Sequence, residues 1–124
     1  MVIYFIVGGF ILFDIITGIL NALYHGDLCS TKLRQGLYHK ASEILAVVGS
    51  ALLEHSVQYV DFEISLPLFK PVATYVCIME LVSIIENLCG INSNLSKFLK
   101  PYLEKLRGTK EQLEESEEEP CHTK

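Results

Sequence analysis

Three apolar stretches fill the first 90 residues, and each carries acidic side chains. Residues 2–24 hold Asp14, residues 41–60 hold Glu43 and Glu54, and residues 68–89 hold Glu80 and Glu86. A bilayer core about 30 Å thick is crossed by roughly 20 mostly apolar residues in a helix. Each stretch meets that length. A carboxylate at such depth costs about 2.5 to 3.5 kcal/mol on insertion scales. A chain that accepts this cost repeatedly is expected to use those faces, against partner helices or against water.

The chain has 124 residues, which suits one domain. Half of them are hydrophobic although the last 30 are strongly polar. The first 90 are therefore too apolar to be hidden in one small soluble core. The net charge of −5 is local: Glu111, Glu114, Glu115, Glu117, Glu118 and Glu119 supply more than all of it. No basic, aromatic-interleaved face points to nucleic acid. Cys29, Cys77, Cys89 and Cys121 have no CxxC spacing and read as reduced small hydrophobes. The N-terminal stretch has no basic leader and no small-x-small cleavage site, so it reads as a retained span.

The pattern predicts an all-α integral membrane protein: a transmembrane domain over residues 1–90, with helices near 2–24, 38–60 and 68–89. Pro67 and Pro71 suit the first turn of the third helix, where a missing N–H costs nothing. Gly90 reads as its stop. Asn94 or Ser96 then caps an amphipathic helix over residues 91–107. In it, Leu95, Phe98, Leu99, Tyr102, Leu103 and Leu106 form one stripe, with Lys97, Lys100, Lys105 and Arg107 elsewhere. Such a helix suits an anionic leaflet, or else packs on the bundle's own loops. Residues 108–124 read as a disordered acidic tail. Lys32, Arg34 and Lys40 lie in the first loop, and five basic residues follow the third helix. The positive-inside bias puts the N-terminus outside and the C-terminus in the cytoplasm.

Each predicted span has a polar or small stripe. Asp14, Gly18, Asn21 and His25 are spaced by four, three and four residues, so they fall on one line at about 100° per residue. Thr17 lies beside them. Ser42, Ala46, Ser50 and Glu54 repeat every four residues, the small-xxx-small spacing that lets helix backbones approach. Glu80, Ser83, Asn87 and Gly90 share a face, with Glu86 about a third of a turn away. Two roles fit these stripes, a tightly hydrogen-bonded bundle or the lining of a water-filled lesion. Three helices are too few for a wide channel, so a pore needs many copies. Chemistry is not indicated: there is no nucleophile elbow, no HExxH and no phosphate-cradling loop. The histidines lack ligand spacing, and no metal or cofactor is expected.

Residues 14–22, DIITGILNA, resemble the D-x-x-T-G-x-x-x-A signature of the toxin-secretion and phage-lysis holins of Gram-positive bacteria and their phages. Ser30, Gly36 and Lys40 match its S…G…K spacing, and Glu54 stands where an acid closes the second helix. Residues 80–87, ELVSIIEN, followed by Gly90, resemble its E-x-x-S-I-x-E-N-x-x-G block. The resemblance spans about residues 10–106. It implies a non-enzymatic protein that oligomerises in the bacterial cytoplasmic membrane and opens lesions. A peptidoglycan hydrolase or toxin without a signal peptide then leaves the cell. Packing or lesion-lining roles are implied for Asp14, Thr17, Gly18, Ser30, Gly36, Lys40, Glu80, Ser83, Glu86 and Asn87. A non-lytic membrane adaptor and a narrow ion or proton channel are the rival expectations.

Overall fold

The computed structural model describes residues 1–60 and 67–117, the last five of these as backbone only. It contains four helices: α1 Val2–His25, α2 Ser30–Ser56, α3 Phe69–Ile91 and α4 Ser93–Glu117. No strand occurs among the described residues. The acidic second loop at Asp61 and Glu63 lies outside them.

The α1–α2 turn closes on Gly26, the one described residue with positive φ, at 67°. Its N–H donates to the Leu23 carbonyl at 3.2 Å, and that of Asp27 to the Ala22 carbonyl at 3.0 Å. This paired closure satisfies carbonyls that a helix end leaves open, and it needs the left-handed backbone glycine adopts freely.

The helices form an up-down-up bundle with a returning fourth helix. Tyr4 stacks on Phe69 with ring centroids 4.9 Å apart. Val7 and Ile11 of α1 share a core with Ala73 and Val76 of α3, and Val47 of α2 completes it. At the far end, Asn21 lies against Gly90. Thus α1 and α3 run parallel. The Glu54 carboxylate accepts the Phe69 N–H at 3.2 Å, which fixes the end of α2 at the start of α3 and makes α2 antiparallel to both. Leu99, Leu103 and Leu106 of α4 pack on Leu81, Val82, Ile85 and Cys89 of α3, so α4 folds back along the second half of α3.

Several boundaries depart from the sequence expectation. Helix α2 begins at Ser30 rather than near 38, because the basic segment is rich in helix formers and is continuous with the packed part. Pro71 lies in the first turn of α3, whereas Pro67 precedes the helix. Gly90 does not end α3: the helix runs to Ile91, and Asn92 breaks it with φ −128° and ψ 108°. Asn92, rather than Asn94 or Ser96, caps α4, its Oδ1 accepting the N–H groups of Asn94 at 3.0 Å and Leu95 at 3.3 Å. Helix α4 continues through Gly108 to Glu117, so 108–117 is helical where disorder was expected. Each added residue extends a helix already nucleated by packing. Residues 118–124, the rest of that expected tail, lie outside the described residues.

Among the described residues, α1 and α3 are long and apolar enough to cross a membrane. Helix α2 is not. Its uncharged run is Ile44 to Leu53, between Glu43 and Glu54, with Ser50 inside it.

Candidate functional site

Asp14 and Glu80 sit near the midpoints of α1 and α3. Both face inward, 5% and 0% exposed. Between them comes Lys40 from α2. Its ammonium donates to Glu80 through both carboxylate oxygens and lies 2.8 Å from Asp14 Oδ2. Glu43, one turn along α2, approaches the same ammonium at 3.5 Å and His39 Nε2 at 3.5 Å. One lysine therefore ties three helices through three carboxylates. A buried charge is tolerated best when paired and hydrogen-bonded; Lys40 gives that to Asp14 and Glu80 and approaches Glu43 more distantly.

A neutral layer lies next to the charges, toward the ends of α1 and α3. Asn87 Nδ2 donates to Asp14 Oδ1 and to Thr17 Oγ1, both at 3.3 Å. The Thr17 hydroxyl donates to the Asp14 carbonyl at 3.0 Å. A Cβ on Gly18 would stand 3.5 Å from Asn87 Nδ2, an ordinary contact, whereas one on Gly90 would come within 2.7 Å of Asn21 Oδ1. Gly90 is thus a close-approach residue. Asn21 Oδ1 is buried without a hydrogen-bond partner, as is Glu43 Oε2.

Clefts open onto this centre from more than one side. A mainly apolar one of about 520 Å³ separates α1 from the first half of α2, with Gly18 and Gly36 on its walls. Asp14 and Lys40 close its deep end. At its mouth Lys32 Nζ lies 2.5 Å from Asp27 Oδ2. That ammonium holds the Asp27 carboxyl below its ordinary range. The second cleft, polar and about 370 Å³, lies among α2, α3 and α4 and is lined by His39, Glu43, Ser83, Glu86, Arg107 and Lys110 in part. Arg107 donates to Glu86 at its rim, and that carboxylate raises the guanidinium pKa.

The residues singled out in the sequence divide accordingly. Asp14, Thr17, Lys40, Glu80 and Asn87 converge on the centre, with Gly18, Asn21 and Gly90 packed beside it. Ser83 and Glu86 lie on the polar cleft instead. Gly36 lines the apolar cleft. Ser30 is exposed at the start of α2. The Ser42–Glu54 ridge is not one surface: Ser42 and Ala46 are exposed, while Ser50 is buried and bonds to the Val47 carbonyl at 2.9 Å. Glu54 is spent on the start of α3. Sequence reasoning placed Glu43 in a span but not in the site. Its signal was the Lys40–Glu43 spacing of three, which puts both on one helix face.

Outside this interior the bundle is apolar. Phe5, Leu12, Phe13, Leu20, Leu45 and Leu52 are all at least half exposed. Among the described residues no group of three or more His, Cys, Asp or Glu side chains is placed to hold a metal ion. A family model described as the bacteriophage holin family matches residues 1–108 of the chain. No curated protein matches it. No solved structure matches it.

Proposed function

The chain belongs to the bacteriophage holin family, a family of membrane proteins rather than enzymes, and from this premise we propose that it is a lysis or release holin. It collects in the bacterial cytoplasmic membrane, oligomerises, and opens lesions through which a cell-wall hydrolase or a toxin without a signal peptide escapes. The observation that carries this reading is the Lys40 centre. It gathers the charges of Asp14, Lys40 and Glu80 inside a bundle whose α1 and α3 present apolar side chains outward, which suits a dry, closed form in lipid.

The same centre supports a third span. Helix α2 has too many charges to cross lipid alone, but Lys40 meets Asp14 on α1 and Glu80 on α3, Glu43 approaches Lys40 within α2, and Glu54 meets the start of α3. A helix packed antiparallel on α3, with Lys40, Glu43 and Glu54 turned inward, crosses with it. The basic α1–α2 turn and the start of α4 then share one end of the bundle. The positive-inside bias assigns that end to the cytoplasm and the N-terminus to the outside.

Opening follows from the arrangement. The groups that hold the three helices together are the groups that prefer water once the helices part. Above a critical density of copies, or on loss of membrane potential, they exchange one another for water and line a lesion. The exposed Ser42 and Ala46 leave the upper part of α2 free for a neighbouring copy.

The test is inducible expression in bacteria that hold a cytoplasmic cell-wall hydrolase without a signal peptide, with turbidity and hydrolase release recorded. Abrupt clearing after a delay, hastened by an uncoupler, is expected. Continued growth with the protein in the membrane would point to a non-lytic subunit. Depolarisation without hydrolase release would point to a narrow channel.

A further inference from the structure

Only part of the apolar stripe of α4 is covered by this chain. Leu99, Leu103 and Leu106 face α3, with Leu103 8% exposed. Phe98 and Tyr102, one turn apart on the adjoining edge, are 68% and 57% exposed. Their rings lie side by side, centroids 6.1 Å apart. The next row of the helix, at the same four-residue spacing, is Lys97, Pro101 and Lys105, all exposed. The carboxylates Glu104 and Glu111 fall on the opposite side of α4, about half a turn from the aromatic edge.

We propose that the Phe98–Tyr102 edge, with Lys105 beside it, docks on the surface of an anionic lipid leaflet while the leucine edge stays clasped to α3. This rests on the membrane reading above and specifies which surface of α4 meets lipid. Aromatic rings prefer the headgroup boundary, and the neighbouring Lys105 adds attraction to anionic lipid. The carboxylates that would be repelled face away.

The chain contains no tryptophan, so one introduced indole reports its own surroundings. Full-length Tyr102→Trp and Glu104→Trp proteins, with Phe98→Trp as a second probe of the edge, are reconstituted into two kinds of vesicle. One is phosphatidylcholine alone and the other contains phosphatidylglycerol. Acrylamide quenching is then measured. For both edge probes the expected result is a blue-shifted emission and a quenching constant lower by about twofold or more in the anionic vesicles, since docking sinks the ring below the headgroups. The Glu104→Trp probe stays accessible. Equal accessibility at 102 and 104 in anionic vesicles overturns the proposal. So does protection that ignores lipid charge and grows with protein density, because a second copy is then the occupant. Flotation separates the two levels of the reading: a chain that does not float with vesicles overturns the membrane reading itself, whereas a floating chain with accessible probes overturns only the docking.

Discussion

Lys40 is the residue on which the three inner helices depend. Removing one member of a buried ion pair leaves an uncompensated charge, which costs about 3 to 5 kcal/mol. Lys40→Met is therefore expected to destabilise the bundle by that order, seen as loss of protein from the membrane or as premature lysis. Adding Glu80→Gln to it should cost less than the sum of the single changes, because the two residues share one interaction; additive costs would show that they are uncoupled. Asp14→Asn or Glu80→Gln alone keeps the shape and removes one charge. Each is expected to shift the time of lysis without preventing insertion, and lysis on schedule in both would remove the carboxylates from the mechanism. Glycines at this scale are not equivalent. Gly18→Ala should be tolerated, since its Cβ meets Asn87 at ordinary contact distance. Gly90→Ala drives Asn21 aside and should cost about 1 to 3 kcal/mol, recovered in the Asn21→Ala/Gly90→Ala pair. Thermal unfolding in detergent measures both. The Asp27–Lys32 clip is exposed and behaves differently. The folded pKa of Asp27 is depressed, so its contribution is present above the ordinary carboxylate range near 3.9 and is lost as pH falls through the lowered value. Amide exchange of the α1–α2 turn should therefore show less protection at pH 3 than at pH 6, after correction for intrinsic rates.

At the scale of elements, α4 is the piece whose stripe the sequence left undivided between lipid and protein. Its stripe was legible from the spacing of Leu95, Phe98, Leu99, Tyr102, Leu103 and Leu106. Which part of that stripe meets protein was not, because helical periodicity gives a face and not the identity of what covers it. The structure assigns the leucines to α3 and leaves the aromatics outward. Leu103→Ala removes the most buried of those leucines and should cost about 2 to 4 kcal/mol. Limited proteolysis should then release α4 before the rest of the bundle; release at the same rate as in the parent chain would show that the clasp contributes nothing. Deleting Glu111–Lys124 leaves the clasp intact. It is expected to change lysis timing while keeping lethality, and a deletion that abolishes lysis would make that segment part of the working assembly. The early start of α2 has the same lesson. A cluster of basic residues reads as a loop by charge, yet Lys, Arg, Gln and Leu are good helix formers and extend a helix that packing has already nucleated.

At the scale of the whole molecule, topology is the property most open to a direct measurement. Cys29 is exposed in the α1–α2 turn. N–H groups of Thr31 and Lys32 hold its thiol below the ordinary range, which favours the reactive thiolate. In a Cys121→Ser background, a membrane-impermeant maleimide added to intact cells should leave Cys29 unlabelled until the membrane is permeabilised, while a cysteine placed at Gln58 should react at once. Labelling of Cys29 from outside would invert the proposed orientation. Much of this molecule could be read from the chain alone: the long apolar helices α1 and α3, the acids embedded in them, the family blocks around Asp14 and Glu80, and the amphipathic character of α4. These are local properties, set by composition and spacing along a single helix. The convergence of Asp14, Glu43 and Glu80 on one lysine, the use of Glu54 to hold the start of α3, the close approach at Gly90 and the return of α4 along α3 were decided by tertiary structure. Each depends on the register of one helix against another, and register is fixed by mutual packing and charge pairing that no single helix contains.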